Sequence, residues 1–244
     1  MPTETERHLR VLILTEQPLL ADVVKLTLKH GMYVTRHARD ASEAFELVED
    51  WQPQLAVVDM DNGGERVVRH IAKDGRDGRA RIPVLALTRR GDLKTKLVAF
   101  DHGVDDIMTI PISPEELLAR ILVITRRSLG TTVPLNPRIA IGDIEIDIMN
   151  RHVRARTSDV HLTGLEQSLL YLLAANAGAI VTRDDIMDAL WGPDFVAESN
   201  VVDRHIRGLR AKLRDDWQKP RFIATVPGLG YRFIPTLAER TLVS

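Results

Sequence analysis

The sequence predicts an α/β doubly wound domain on a five-stranded parallel sheet, followed by a smaller α+β domain of three helices and a closing hairpin. Three observations carry this. Through the first half, short apolar runs rich in branched residues alternate with segments of helical period. The stretch SLGTTVPLNPR (128–138) has no period, carries two prolines and reads as a linker. After it the chain turns to strand-like alternation, then to three helical segments, then to the glycine-rich FIATVPGLGYRFI.

Each element has its own signal. RVLILT (10–15) is the first strand, and PLLADVVKLTLKH (18–30) opens on a proline suited to a first helical turn and stops at Gly31. MYVTRH is the second strand, DASEAFELVEDW a capped helix and QLAVVD (54–59) the third strand. IPVLALT (82–88) is the fourth, followed by the helical GDLKTKLVAFDHG, and DDIMTI is the fifth. SPEELLARILVITRR (113–127) is a long helix with Ser113 as N-cap and Pro114 in its first turn. Doubly wound sheets bind ligands at the carboxyl ends of their strands, where Thr15, Glu16, Asp59 and Thr88 fall. In the second half, 139–163 alternates as strands with turn signals near Gly142, Asn150 and Ser158, and helices are expected at about 163–176, 182–191 and 199–214. The expected domains are 1–128, a linker 129–138, 139–238 and a tail 239–244.

Bulk composition narrows the function. The 244 residues are 44% hydrophobic and 27% charged, ordinary for a globular protein. The absence of cysteine excludes disulfides and thiolate metal sites and points to a reducing compartment, expected to be the cytoplasm. The polar start MPTETERHLR lacks a signal-peptide core, and LLARILVIT, interrupted by Arg120, is too short to span a bilayer. The eight histidines form no ligand-spaced cluster. A net charge of −1 means that nucleic-acid affinity must come from local clustering.

That clustering lies in SNVVDRHIRGLRAKLR. At helical spacing Val202, Ile206, Leu209 and Leu213 form one apolar stripe, while Asn200, Arg204, Arg207, Ala211 and Arg214 lie opposite. A basic helix face is usually only solvated. Two shorter helices before it and a glycine-rich hairpin after it instead suggest a winged helix-turn-helix, whose third helix enters the major groove. LTGLEQSLLYLLAANAGAIVTRDDIMDALWG, VVDRHIRGLRAKL and TVPGLGYRF, in this order and spacing, resemble the effector domain of the OmpR/PhoB family of response regulators over nearly all of 139–236. The resemblance implies double-stranded DNA as partner and Asn200, Arg204, His205, Arg207, Gly208, Arg210, Arg214, Arg221 and Arg232 as its contacts. It also implies that 192–198 is the loop family members can offer to RNA polymerase. Two positions depart from the family: Gly208 and Pro227 stand where arginine is common.

Residues 8–127 resemble the receiver domain of the same family. There a pair of acids holds Mg²⁺, an aspartate accepts phosphate, a Thr or Ser follows the fourth strand and a Lys the fifth. Transfer of a phosphoryl dianion onto a carboxylate needs those positive charges. In this sequence the acid pair reads Thr15 and Glu16, Asp59 stands as acceptor, and Thr88 is in place. Ile110 replaces the lysine before Pro111, Ile107 replaces the usual aromatic residue, and Arg89 replaces a small residue. Glu16 and Asp59 are the candidate Mg²⁺ ligands, Asp61 a substitute oxygen donor and Arg89 a substitute cation. The expectation is a dimeric, non-enzymatic, sequence-specific transcription regulator that needs no cofactor and is controlled independently of conventional phosphorylation. Conventional phosphorylation of Asp59 by a sensor kinase is the alternative, with Mg²⁺ then required. The dimer surface expected from the family comprises Lys94, Lys96, Asp101, Asp105, Asp106, Glu116 and Arg120. VVDMDNGG also resembles the DxD motif of haloacid-dehalogenase-type phosphatases, with Asp59 as nucleophile. That motif belongs on a first strand, however, and the second half would go unexplained.

Overall fold

A computed structural model describes residues 8–29, 33–74, 81–89, 91–130, 138–141, 143–147, 152–155, 158–192, 195 and 200–234. The chain divides into two compact units. Gly31, most of the expected linker, most of the loop 192–198 and the tail 239–244 lie outside the described residues.

The first unit runs β1 (Leu9–Leu14), α1 (Pro18–Leu28), β2 (Tyr33–Ala38), α2 (Ala41–Trp51), β3 (Leu55–Asp59), α3 (Gly64–Asp74), β4 (Val84–Thr88), α4 (Leu93–Asp101), β5 (Asp106–Thr109) and α5 (Pro114–Leu129). The five strands are parallel in the order β2-β1-β3-β4-β5. Every residue of β3 and β4 is buried, as expected of strands covered by helices on both faces. Pro18 and Pro114 open their helices as the sequence predicts. Asp40 caps α2 by accepting from the Ser42 and Glu43 amides at 2.8 and 3.0 Å.

The second unit begins with an antiparallel sheet of β6 (Arg138–Ile141), β7 (Ile144–Asp147), β8 (His152–Ala155) and β9 (Ser158–Val160). Ser158, expected in a turn, opens β9 instead. There follow α6 (Gly164–Ala175), β10 (Ile180–Thr182), α7 (Arg183–Trp191), α8 (Val201–Leu213), β11 (Ile223–Val226) and β12 (Gly230–Phe233). Thr163 with Glu166, and Thr182 with Asp185, form reciprocal capping boxes that start α6 and α7. The strand β10 is not foreseen in the sequence. It makes the terminal hairpin a three-stranded sheet in the order β10-β12-β11. Gly230 permits this pairing, since a Cβ there would stand 2.1 Å from the Val181 carbonyl oxygen.

Candidate functional site: a carboxylate pocket and a basic helix face

The pocket of the first unit forms where β3 ends. Asp59 is fully buried and caps a 3₁₀ turn at Met60–Asn62, its Oδ1 accepting from the Asp61 amide at 3.1 Å. Gly63 turns the chain with φ +78°, and Gly64 lets α3 start against the strand end, because a Cβ would lie 2.3 Å from the Asp59 carbonyl oxygen. The Thr15 hydroxyl donates to Asp59 Oδ2 at 3.0 Å. Both carboxylate oxygens are therefore engaged by protein donors.

The second carboxylate, Asp61, is gripped by the segment after β4. It accepts from the Thr88 hydroxyl at 3.2 Å, the Arg89 amide at 2.7 Å and the Arg89 guanidinium at 3.3 Å. The same Arg89 Nη1 stands 3.9 Å from Asp59 Oδ2, so one guanidinium serves two aspartates. Burial pushes the Asp59 carboxyl up from its ordinary pKa, against the opposing pull of the Asp61 amide, Arg89 and Thr15.

Glu16 is exposed, and among the described residues no three His, Asp or Glu gather as a metal cluster. Of the two candidate Mg²⁺ ligands, Glu16 is exposed, while Asp59 accepts from the Thr15 hydroxyl and the Asp61 amide with the Arg89 guanidinium 3.9 Å away. Ile110 is half-buried before a cis bond to Pro111 and offers no cation.

The expected dimer charges divide. Lys94 and Asp101 are exposed and Lys96 is half-buried on α4. Asp105 accepts from the Val84 amide at 2.7 Å and from Arg81 at 3.0 Å, so it serves the fold of its own unit. Arg120 pairs within the chain with Asp106 and Glu116, each at 2.6 Å.

In the second unit, α8 buries Val202, Ile206, Leu209 and Leu213, the stripe read from the sequence. Asn200, Arg204, Arg207 and Arg214 are exposed together on the opposite face. Arg210 leaves this set: its guanidinium donates to the Ile223 carbonyl at 2.7 Å and to Thr225 at 2.8 Å, tying α8 to β11. Helical spacing set it on the flank of the wheel, and the carbonyl of β11 captures it there. His205 is half-buried against Trp191, with ring centroids 5.4 Å apart. Gly208 borders α6 rather than the open face, with room for a Cβ at 3.6 Å from Glu166 Oε1. Arg221 reaches Asp143 at 3.3 Å and stacks on Phe222, and Arg232 is half-buried on β12.

Sequence reasoning missed the acids that hold this face in place. Asp203 accepts from the Tyr231 hydroxyl at 2.5 Å and from Arg183 at 2.8 Å, joining α8, β12 and α7. Burial pulls its carboxyl pKa up, but those two donors outweigh it and hold the group below the ordinary value. Asp215 accepts the amides of Arg221 and Ile223 at 2.7 and 2.9 Å and fixes the entry to β11. Glu166 binds Lys212 at 2.5 Å, which removes that lysine from the free basic charge. A lone acid in a basic helix was the one signal for Asp203.

Comparison with known proteins agrees with this layout. The response regulator receiver domain matches residues 11–122, and the C-terminal domain of transcriptional regulatory proteins matches residues 157–233. The chain is 30% identical to the DNA-binding response regulator MtrA of Mycolicibacterium smegmatis, over 93% of this chain and 97% of that protein. It is 31% identical to the alkaline phosphatase synthesis transcriptional regulatory protein PhoP of Bacillus subtilis, over 91% of this chain and 95% of that protein. A solved structure of DrrB, an OmpR/PhoB homolog from Thermotoga maritima, aligns with 26% identity and a TM-score of 0.41, covering 93% of this chain and 99% of that one.

Proposed function

The chain belongs to the OmpR/PhoB family of response regulators, and from that premise we propose that it binds its operator as a dimer under a switch other than conventional phosphorylation of Asp59. It is a response-regulator transcription factor, and DNA is its partner. The helix α8 enters the major groove, where Asn200 and Arg204, near its start, read base edges and Arg207 and Arg214 meet phosphates. Asp203, Arg183, Tyr231 and Arg210 position that helix against the wing without touching DNA.

One observation carries the reading of the switch: the Arg89 guanidinium sits between Asp59 and Asp61. Phosphoryl transfer proceeds by neutralising charge on the transferred group, with a metal ion and fixed cations held open for it. Here the cation is a side chain of the protein, already neutralising two carboxylates, and Asp59 is enclosed. Intact-protein mass after incubation with Mg²⁺ and a small acyl phosphate tests this, with Asp59→Asn as control. The expected result is no adduct beside undiminished DNA binding. An adduct that disappears in Asp59→Asn overturns the reading and makes Arg89 the group that stabilises the phosphoryl charge.

A further inference from the structure

A cleft of about 470 Å³ opens beside the carboxylate pocket, lined among others by Met60, Ala86, Val98, Ala99 and Ile107. Its volume is that of small-molecule sites, which combine an apolar floor with a few polar groups. The floor is apolar because Ala86, Ala99 and Ile107 line it with hydrocarbon side chains, at 0%, 4% and 8% exposure. The charges at its rim are unequally committed. Asp61 is held by Arg89 and Thr88, and Glu65 by Arg69. Asp92 has an interaction of its own. His102 Nε2 lies 3.0 Å from Arg69 Nη2, which can only donate, so that ring nitrogen is engaged as an acceptor there. Lys94 and Lys96, also at the rim, form no ion pair among the described residues. The cleft thus offers an apolar floor and two cations without an ion pair among the described residues.

We propose that this cleft is a binding site for a small organic acid, whose ring or branched hydrocarbon body rests on Ala86, Ala99 and Ile107 while its carboxylate meets Lys94 and Lys96. The inference builds on the proposed loss of phosphoryl control and supplies the signal that replaces it. The cleft is bordered by α4, which away from the cleft exposes Leu97 and Phe100 at 55% and 47%. Of the described side chains on α4 only Ala99 is buried, and it lines the cleft. A ligand beneath it therefore shifts the population of α4 positions, and with it the surface offered to a second copy.

The test is methyl NMR of the full chain, observing the Met60, Ala86, Ala99 and Ile107 methyl groups during titration with naphthalene-2-carboxylate, and separately with naphthalene-2-carboxamide. Saturable shifts of these four methyls with the carboxylate are expected, with affinity at least tenfold weaker for the amide. The Met60, Ala86 and Ala99 shifts should be lost in Ile107→Trp, which fills the floor, and weakened in Lys94→Gln/Lys96→Gln, which keeps side chains of similar length on α4. No shifts, equal binding of the amide, or shifts that survive Ile107→Trp overturn the proposal. An Asp59 adduct in the mass measurement overturns the phosphorylation reading alone, because carboxylate binding is observed independently of it.

Discussion

Asp59 carries an internal conflict that can be measured. A carboxylate with no exposure is costly to ionise, and Thr15, the Asp61 amide and Arg89 offset that cost only in part. Its folded pKa is therefore above the unfolded value of about 3.9. The folded state then binds more protons than the unfolded state as pH rises from that value to the folded pKa, and stability contributed by this group falls over the same window. Asp59→Asn keeps an acceptor for the Asp61 amide and does not ionise. Urea midpoints should show the variant gaining on the parent chain as pH rises from acid to neutral; a gap that closes with rising pH would contradict the burial argument. The aspartate itself was legible in VVDMDNGG, but its partner was not fixed. Arg89 was legible as a substitute cation, but its bond to Asp61 was not, because that bond joins residues 28 apart through the pairing of β3 with β4.

At the scale of the element, α8 separates the residues proposed to read DNA from the residues that hold the helix in place. The apolar stripe was legible because helical period and burial coincide, and the four exposed polar residues opposite followed from the same geometry. The fate of Arg210 was not, since it depends on where the Ile223 carbonyl falls. Arg207→Ala should reduce the slope of log affinity against log salt by about 0.9, as loss of one phosphate contact requires, with the fold unchanged. Arg210→Ala should behave oppositely, costing about 2 kcal/mol of stability from its lost charge-assisted bonds before any DNA is added. Denaturant titration beside a salt series of DNA binding distinguishes the two. Gly208→Ala should stabilise the second unit by about 0.5–1 kcal/mol, since the site has room for a methyl group and glycine is a poor interior helix former. A denaturation midpoint that falls instead would mean the helix needs glycine there.

At the scale of the whole molecule, both fold classes and their order along the chain were legible because each rests on local period and turn chemistry, whereas β10 is three residues that pair with the distant β12, Val181 opposite Tyr231. The proposed dimer depends on exposed surface. Arg120 already satisfies Asp106 and Glu116 within its own chain, and exposed ion pairs contribute little, so Arg120→Ala should weaken association only about twofold to fivefold. Leu97 and Phe100 lie exposed on the same helix as the expected charges Lys94 and Asp101, and an apolar patch gains by being covered. Leu97→Asp/Phe100→Asp should therefore abolish the dimer in sedimentation where Arg120→Ala does not, and the reverse order would return the interface to its charges. The consequence reaches the DNA. Two copies held together place two α8 helices on half-sites about 10–10.5 base pairs apart, on one side of the duplex. Inserting about half a turn between half-sites rotates one to the far side, so affinity should fall to that of a single half-site and recover when a full turn is inserted. In the Leu97→Asp/Phe100→Asp chain the same insertions should change nothing, because without the dimer there is no spacing to violate.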